Sequence, residues 1–472
     1  MNFQKNPIKT QNHSLDKAEH WIRGHLFLSF IALALGAFVL KGVVGAIQSG
    51  NPFSVTQIVL SAISEGVEMD TDRHTNILLL GVGGEGHDGE NLTDTMIVAS
   101  IDHKEKLIPM LSIPRDLFVD SEALGYGTRI NGIYELMLDK TNDPTLAMNA
   151  LIEEVEKITA VEIHYYAKVD FSGFEEVVDA VGGVEVNVIE DIYDATYPAP
   201  DGSAQDFEPF YLEAGIQELD GETTLKYVRS RHSTSDFDRA RRQQEVINAL
   251  KDKATSLGIL LNPGKLKNLY TAVSSNFETN LNWSEMLYLA KLGDQFGTES
   301  IHTAVLNDGA YQMGGFLYTP DRELYGGAFV LVPYSGDFGE IQTFADLFLY
   351  HPELYSTPTP LQILNGTKEI GLAAMTKMYL ERYGFTVVRH GNGLDRELAE
   401  TNLFWNRELT EVDEATIELL PSLLGSGEIL EETPSQYSLE SFPTEATVII
   451  ELGDDFLEYY NENGELFYVG VY

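Results

Sequence analysis

Residues 227–247 read "YVRSRHSTSDFDRARRQQEVI" and carry five arginines within fourteen residues: Arg229, Arg231, Arg239, Arg241 and Arg242. Guanidinium forks match phosphate oxygens two at a time, and a pyrophosphate offers several such pairs. Val246, Ile247, Leu250, Ala254 and Leu257 mark the apolar stripe of a helix expected to begin near Asp236. Continued backwards, that stripe meets Gln243, Arg242 and Arg239, so these two arginines should point inward while Arg241 falls off the stripe. A buried guanidinium requires an acceptor, because an unpaired buried charge is very costly. Protein carboxylates and a polyanionic ligand both meet that requirement. Arg229 and Arg231, two apart in extended backbone, would project to one side and join the same clamp.

Two further segments carry groups suited to phosphate chemistry. The loop "GVGGEGHDGENLTDT", residues 81–95, follows an apolar run and supplies Glu85, His87, Asp88 and Asp94. Glycine lets backbone amides approach an anion, and hard carboxylate oxygens suit a Mg²⁺ ion that keeps waters and shares a phosphate. An ordinary turn with solvated acids fits this segment equally well. The loop lacks the GK[ST] ending of a Walker A motif, and no helix follows to make a dinucleotide fingerprint. In "SIPRDLFV", residues 112–119, Arg115 and Asp116 end another apolar run, the edge at which α/β sheets bear ligands. A surface Arg and Asp pair is the plain alternative. "GTRINGIYE" adds Arg129 and Asn131.

The elements that must position these groups are legible in the periodicity. "NILLLGV" at 76–82, "TMIVASI" at 95–101 and "LIPMLSI" at 107–113 read as buried strands. Residues 145–157 have helical spacing, "HYYAKVD" alternates like a strand, "FSGFEEVVDAVGG" is a helix stopped by Gly182 and Gly183, and "VEVNV" returns as a strand. Strands mixed with helices of this length predict a layered α/β/α domain with a mixed central sheet over residues 73–335. After a linker at 336–360 that contains "YSTPTP", the order "LQILNG", "EIGLAAMTKMYLERYG" and "FTVVRHG" predicts a small α+β domain over 361–472.

The chain opens with a tail at 1–24, followed at 25–47 by "HLFLSFIALALGAFVLKGVVGAI", an apolar run long enough for a bilayer core of about 30 Å. This reads as one transmembrane helix rather than a cleaved signal, since "AIQSGNPFS" is a poor small-x-small site. Lys5, Lys9, Lys17 and Arg23 precede it, so the tail is expected in the cytoplasm and the bulk of the chain, after a linker at 48–72, outside the cell membrane. With 73 acidic and 31 basic side chains, a net charge of −42, nucleic acid is excluded as the partner, because duplex binding depends on many phosphate-neutralising Lys and Arg. The absence of cysteine excludes disulfides and thiolate chemistry.

Taken in series, "LTDTM", "LSIPRDLFV", "RINGIYE", "VDFSGFEEVVDAVGGVEVNV" and "LDGETTLKYVRSRHSTSDFDRARRQQ" resemble the LytR-CpsA-Psr family, which transfers glycopolymers to bacterial cell walls. "LQILNGTKEIGLAAMTKMYLERYGFTVV" resembles the small C-terminal domain found on many such proteins. The resemblance implies a membrane-anchored phosphotransferase that moves a glycan phosphate from a polyprenyl-pyrophosphate carrier to a peptidoglycan hydroxyl, with Mg²⁺ on the pyrophosphate and the lipid tail in an apolar tunnel. By motif, Asp94 would bind the metal, Arg115, Arg229, Arg231, Arg239 and Arg242 would hold the pyrophosphate, Gln243 would assist, and Asp116 would contribute to activating the acceptor. Arg129 and Asn131 would sit on the substrate side. Where the family usually has an aspartate after the first strand this chain has Gly83, and Asp88, with Glu85 or His87, would replace it from the longer loop. A hydrolase of the lipid pyrophosphate and a non-enzymatic glycan-binding or regulatory envelope protein are the competing readings.

Overall fold

The computed structural model describes residues 66–467 except 87–88, 198–206, 231–241, 406, 431–432 and 439–443, and only part of 243–299. The expected membrane span at 25–47 lies outside the described residues. Among the described residues no helix is long and apolar enough to cross a membrane.

The chain is mixed α/β. Its main elements are β1 (His74–Val82), β2 (Thr93–Asp102), β3 (Ile108–Ser112), α1 (Ile133–Thr141), α2 (Pro144–Thr159), β4 (Tyr165–Asp170), α3 (Phe171–Ala180), β5 (Val184–Val188), β6 (Ile192–Asp194), β7 (Phe210–Leu212), β8 (Gly215–Leu219) and α4 (Gly221–Arg229). They continue with β9 (Ile301–Val305), α5 (Gly339–Tyr350), β10 (Pro360–Asn365), α6 (Leu372–Arg382), β11 (Thr386–Asn392), β12 (Asn402–Trp405), α7 (Glu411–Leu424) and β13 (Val448–Leu452). The described residues group into two compact units: one contains 169–301, the other 69–104, 108–168 and 302–472.

In the discontinuous unit, one sheet runs β4-β1-β2-β3-β9, with β1, β2 and β3 antiparallel in sequence. β3 is buried throughout and β1 nearly so, which is why they read as continuous apolar runs rather than alternating ones. α2 starts where the sequence says it should: Asp143 accepts from the amides of Thr145 and Leu146, and Pro144 occupies the first turn. A second, mixed sheet runs β11-β10-β13-β12, with β10 parallel to both β11 and β13 and β12 antiparallel to β13.

The stretch 336–360, expected as a linker, holds α5, whose Ile341, Phe344, Ala345 and Phe348 are buried. Those side chains belong to one core that runs from Leu78 and Val98 through Phe344 to Leu361, Ile450 and Phe467. The prolines at "YSTPTP" therefore mark the end of a helix and not a break in packing. Within that core, Arg382 on α6 is 1% exposed and lies 3.3 Å from Glu340 on α5. It also donates to the carbonyl of Leu466 and lies 5.6 Å from the Phe316 ring centre.

The unit containing 169–301 has its own core, built from Val177, Val178, Val184, Val186, Leu219, Tyr227 and Val246. Two ribbons, β5 with β8 and β6 with β7, are antiparallel. α3 ends, as expected, at two glycines with left-handed backbone, Gly182 at φ 83° and Gly183 at φ 86°. Gly221, the first residue of α4, lies where an added Cβ would come within 2.4 Å of the Glu175 carbonyl oxygen, so only glycine permits α3 and α4 to approach this closely.

Two outcomes follow. Arg382→Ala removes the guanidinium beside buried Glu340 and should cost about 3–5 kcal/mol of stability, read as a lowered urea midpoint. At the start of β1, His74 is 4% exposed and shares a hydrogen bond with Ser100 of 2.9 Å. Burial outweighs the carboxylates of Asp102, Asp70 and Asp72 and lowers its pKa below 6.5; burial lowers His103 likewise. The unfolded chain therefore takes up protons first, so this part of the stability is present above pH 6.5 and lost as pH falls through the folded-state values. His351, raised by its hydrogen bond to Glu353, acts in the opposite direction. Urea titrations across that range should show a shallower acid limb in His74→Gln than in the parent chain.

Candidate phosphate-handling site

In the discontinuous unit the ends of β1, β2 and β3 bring five of the expected residues into one network. β1 and β2 lose register at Gly81/Val82, with Gly81 opposite Thr95 and Val82 opposite Thr93, which leaves Asp94 as the extra residue of a bulge. Bulges re-aim a side chain beside a functional edge. Here the Asp94 carboxylate accepts from Arg115 at 2.7 Å and from the Asn131 amide at 3.5 Å through the same oxygen, Oδ1. Arg115 also lies 3.5 Å from Asp116 Oδ2, and Arg129 donates to Asp116 Oδ1 at 3.1 Å.

The backbone under these groups is fixed on every side. Asn131 N–H reaches the Arg115 carbonyl, Ile130 N–H that of Leu117, and Leu331 N–H that of Asp116. Thr93 Oγ1 donates to the Asn131 carbonyl at 3.3 Å, tying the start of β2 to the same loop. Exposure is graded across the network. The side chain of Asp116 is 6% exposed and that of Arg115 15%, against 37% for Asp94 and 45% for Arg129. Asp116, assigned by motif to activating an acceptor, forms a buried bridge between two guanidinium groups. That position holds Arg115 and Arg129 in place and leaves Asp94 and Arg129 as the groups most open to a ligand.

The other unit holds the described members of the arginine stretch. Arg229, the last residue of α4, lies 4.1 Å from the Phe171 ring centre and 3.5 Å from the Tyr197 hydroxyl. Burial pushes the Tyr197 hydroxyl up from its ordinary range, with Arg229 opposing, so it stays protonated at neutral pH. Arg242 is helical and 2% exposed, as its place on the apolar stripe predicted. Its guanidinium, however, donates to the carbonyls of Tyr227 at 2.8 Å and Ser230 at 2.5 Å. Cations that bind the last carbonyls of a helix stabilise its end. Arg242 thus fixes the helix terminus that carries Arg229. Ser230 is held in turn by its hydroxyl bond to Asp194 at 3.1 Å. Asp88, Arg231, Arg239 and Gln243, with His87 and Arg241, lie outside the described residues.

Sequence reasoning missed Phe171 and Tyr197, the ring and hydroxyl beside Arg229. Their only signal is aromatic type, and both are remote from Arg229 along the chain. The bulge at Asp94 also escaped, although Gly81 within an apolar strand marks such a position.

The chain belongs to the LytR_cpsA_psr family, whose model matches residues 46–325. A second model, described as LytR cell envelope-related transcriptional attenuator, matches 359–456. Bacillus subtilis TagV, named a polyisoprenyl-teichoic acid–peptidoglycan teichoic acid transferase, is 30% identical over 254 residues, 52% of this chain and 60% of TagV. The chain thus spans 60% of that relative's length. Corynebacterium glutamicum LcpA, named a cell wall biosynthesis protein, is 28% identical over 411 residues, 79% of this chain and 73% of LcpA. The crystal structure of B. subtilis TagV, at 26% identity, covers 59% of this chain and 98% of its own, with a TM-score of 0.44.

The donor set at Asp94 is compatible with Mg²⁺. Its Oδ1 takes both hydrogen bonds, the carboxylate is partly open, and a hard ion that keeps several waters needs only one or two protein carboxylates. Among the described residues no group of three or more His, Asp or Glu side chains is placed to hold a metal. Arg242→Ala removes two hydrogen bonds from buried carbonyls and should lower stability by about 1–3 kcal/mol, checked by thermal unfolding; Arg242→Lys, with a single point charge, should recover only part.

Proposed function

We propose that this chain transfers a glycopolymer phosphate from a polyprenyl-pyrophosphate carrier to a peptidoglycan hydroxyl. The observation that carries the reading is the chain of alternating charges, Asp94, Arg115, Asp116 and Arg129, assembled at the ends of buried strands inside the region matched by the family model. The printed name of TagV, a teichoic acid transferase acting between a polyisoprenyl carrier and peptidoglycan, supports the substrate class.

The chemistry requires an acceptor oxygen to attack phosphorus while the bond to the bridging pyrophosphate oxygen breaks and polyprenyl phosphate departs. Such a transition state spreads charge over the phosphoryl oxygens, so catalysis rests on positioning and charge stabilisation, and no protein nucleophile is needed. Arg115, held by Asp94 and Asp116, is oriented before the substrate arrives and loses little order on binding it. Arg129, on the outer side of Asp116, can turn to a phosphate oxygen without leaving a bare charge in the interior. By motif, Arg229, which lies beside Phe171 and Tyr197, and Arg231, Arg239 and Gln243 are assigned to the pyrophosphate. Mg²⁺, held by Asp94 with Asp88, would add positive charge at the pyrophosphate oxygens. The apolar run at 25–47 would anchor the chain in the membrane that carries the lipid substrate, with the remainder outside the cell.

The test is incubation of the full chain with a lipid-linked glycan and peptidoglycan. Wall-bound glycan phosphate is the expected product, and release of free glycan phosphate alone would overturn transfer in favour of hydrolysis. Arg115→Ala and Arg229→Ala should each reduce transfer by about 10²–10³, the size expected for loss of one charge-stabilising donor. Asp94→Ala and Asp88→Ala should both raise the Mg²⁺ concentration needed for half-maximal rate; an effect of Asp94→Ala alone would remove Asp88 from the metal site.

A further inference from the structure

Arg129 stands between two carboxylates, and only one of them belongs to the phosphate network. It ends a hairpin in which Phe118–Ser121 pairs with Tyr126–Arg129, with Phe118 opposite Arg129 and Asp120 opposite Gly127. Val119 and Ser121 are buried on one face of that hairpin, so Phe118 and Asp120 stand on the other. Arg129 donates to Asp116, two residues before Phe118, at 3.1 Å. Asp120, two residues after Phe118, is exposed and lies diagonally across from Arg129, a separation of about 7–8 Å that a long side chain spans. Asp120 is therefore a rival for the same guanidinium.

The Phe118 ring stands in the way. A Cβ added at Gly127 would lie 2.3 Å from Phe118 Cζ and 2.6 Å from Asp120 Oδ1, so the ring leans over Gly127, away from Asp116 and toward Asp120. Gly127 does not have left-handed backbone, so the space above it and not its conformation calls for glycine. Tyr325 braces the ring from outside, meeting it edge to face with 4.8 Å between centres at 74°. Tyr325 ends a single 3₁₀ turn, Arg322–Tyr325, and the segment that follows is fastened to the strand of Phe118. Phe118 N–H reaches the Leu331 carbonyl, and Leu331 N–H reaches that of Asp116. The ring is thereby fixed on the path from Arg129 to Asp120.

We propose that Phe118, seated over Gly127 and braced by Tyr325, is a positioning residue that keeps Arg129 from Asp120 and so available to the substrate phosphate. The inference rests on the function proposed above for the place of Arg129 at the substrate, and its test reads binding and not turnover. The probe is inorganic pyrophosphate with Mg²⁺, titrated by calorimetry against the full chain in detergent. The parent should bind saturably, and Arg129→Ala should weaken binding about tenfold. Phe118→Ala should weaken it about three- to tenfold, and Asp120→Asn, silent by itself, should restore parental binding in the Phe118→Ala background. Tyr325→Ala, which removes only the brace, should show a smaller loss that Asp120→Asn also reverses. Tyr325→Phe should match the parent, because the ring and not the hydroxyl makes the contact. Losses in Phe118→Ala and Tyr325→Ala that Asp120→Asn does not move would assign the ring a merely structural role and overturn the proposal. Parental binding in Phe118→Ala or in Arg129→Ala, or no saturable binding by the parent, would overturn it equally. A parent that shows this binding pattern but makes no wall-bound product would overturn the transferase reading alone.

Discussion

Arginine keeps its charge at every physiological pH, so each guanidinium withdrawn from water must be met by oxygen or by an aromatic face. Much of this molecule is arranged around that requirement. Arg115 and Arg129 are met by carboxylates, Arg242 by two main-chain carbonyls, Arg229 by a ring and a phenol, and Arg382 by a carboxylate and a carbonyl. The choice of acceptor sorts them by task. Where the partner is a neutral carbonyl deep in the core, the arginine holds backbone in place. Where the partner is a partly exposed carboxylate, as Asp94 is for Arg115, the guanidinium is held at the open side of the network.

Much of the fold was legible because burial on both faces leaves an unbroken apolar run, and β1, β2 and β3 each read that way. Helix limits were legible where a capping side chain or a glycine sets them, as at Asp143 and at Gly182 with Gly183. The segment 336–360 resembles a linker because proline, serine and threonine cluster near its end, yet Ile341, Phe344, Ala345 and Phe348 recur at i, i+3, i+4 and i+7 and form one buried helix face. Those four side chains belong to the core that also includes strands of the second sheet, so the two sheets of that unit are not separate packing bodies.

The candidate site was legible in residue type and less so in role. The sequence put Asp94 in the loop after one apolar run and Arg115 with Asp116 at the end of another, and the family resemblance assigned these residues, with Arg129 and Asn131, to one substrate. It could not show that Asp116 is enclosed by two guanidinium groups, because that depends on Arg129 returning from the neighbouring hairpin. The helical stripe correctly sent Arg242 inward. It gave the direction of the side chain but not the acceptor, and the acceptors are carbonyls on another helix, which have no signature in sequence.

The antiparallel start of the first sheet and its final strand lie far apart along the chain: Leu306 N–H closes onto the Ser112 carbonyl only after the whole of 113–305 has been made. During synthesis β1, β2 and β3 therefore emerge as a hairpin-linked, strongly apolar sheet with an open edge, and the helix that covers β3, α5, is made later still. An unpaired apolar edge is a template for pairing with another chain. The unit at 169–301, with its own core of valines and its own ribbons, can complete itself in that interval. The order of the chain thus leaves the edge of the first sheet open to pairing until the last third arrives.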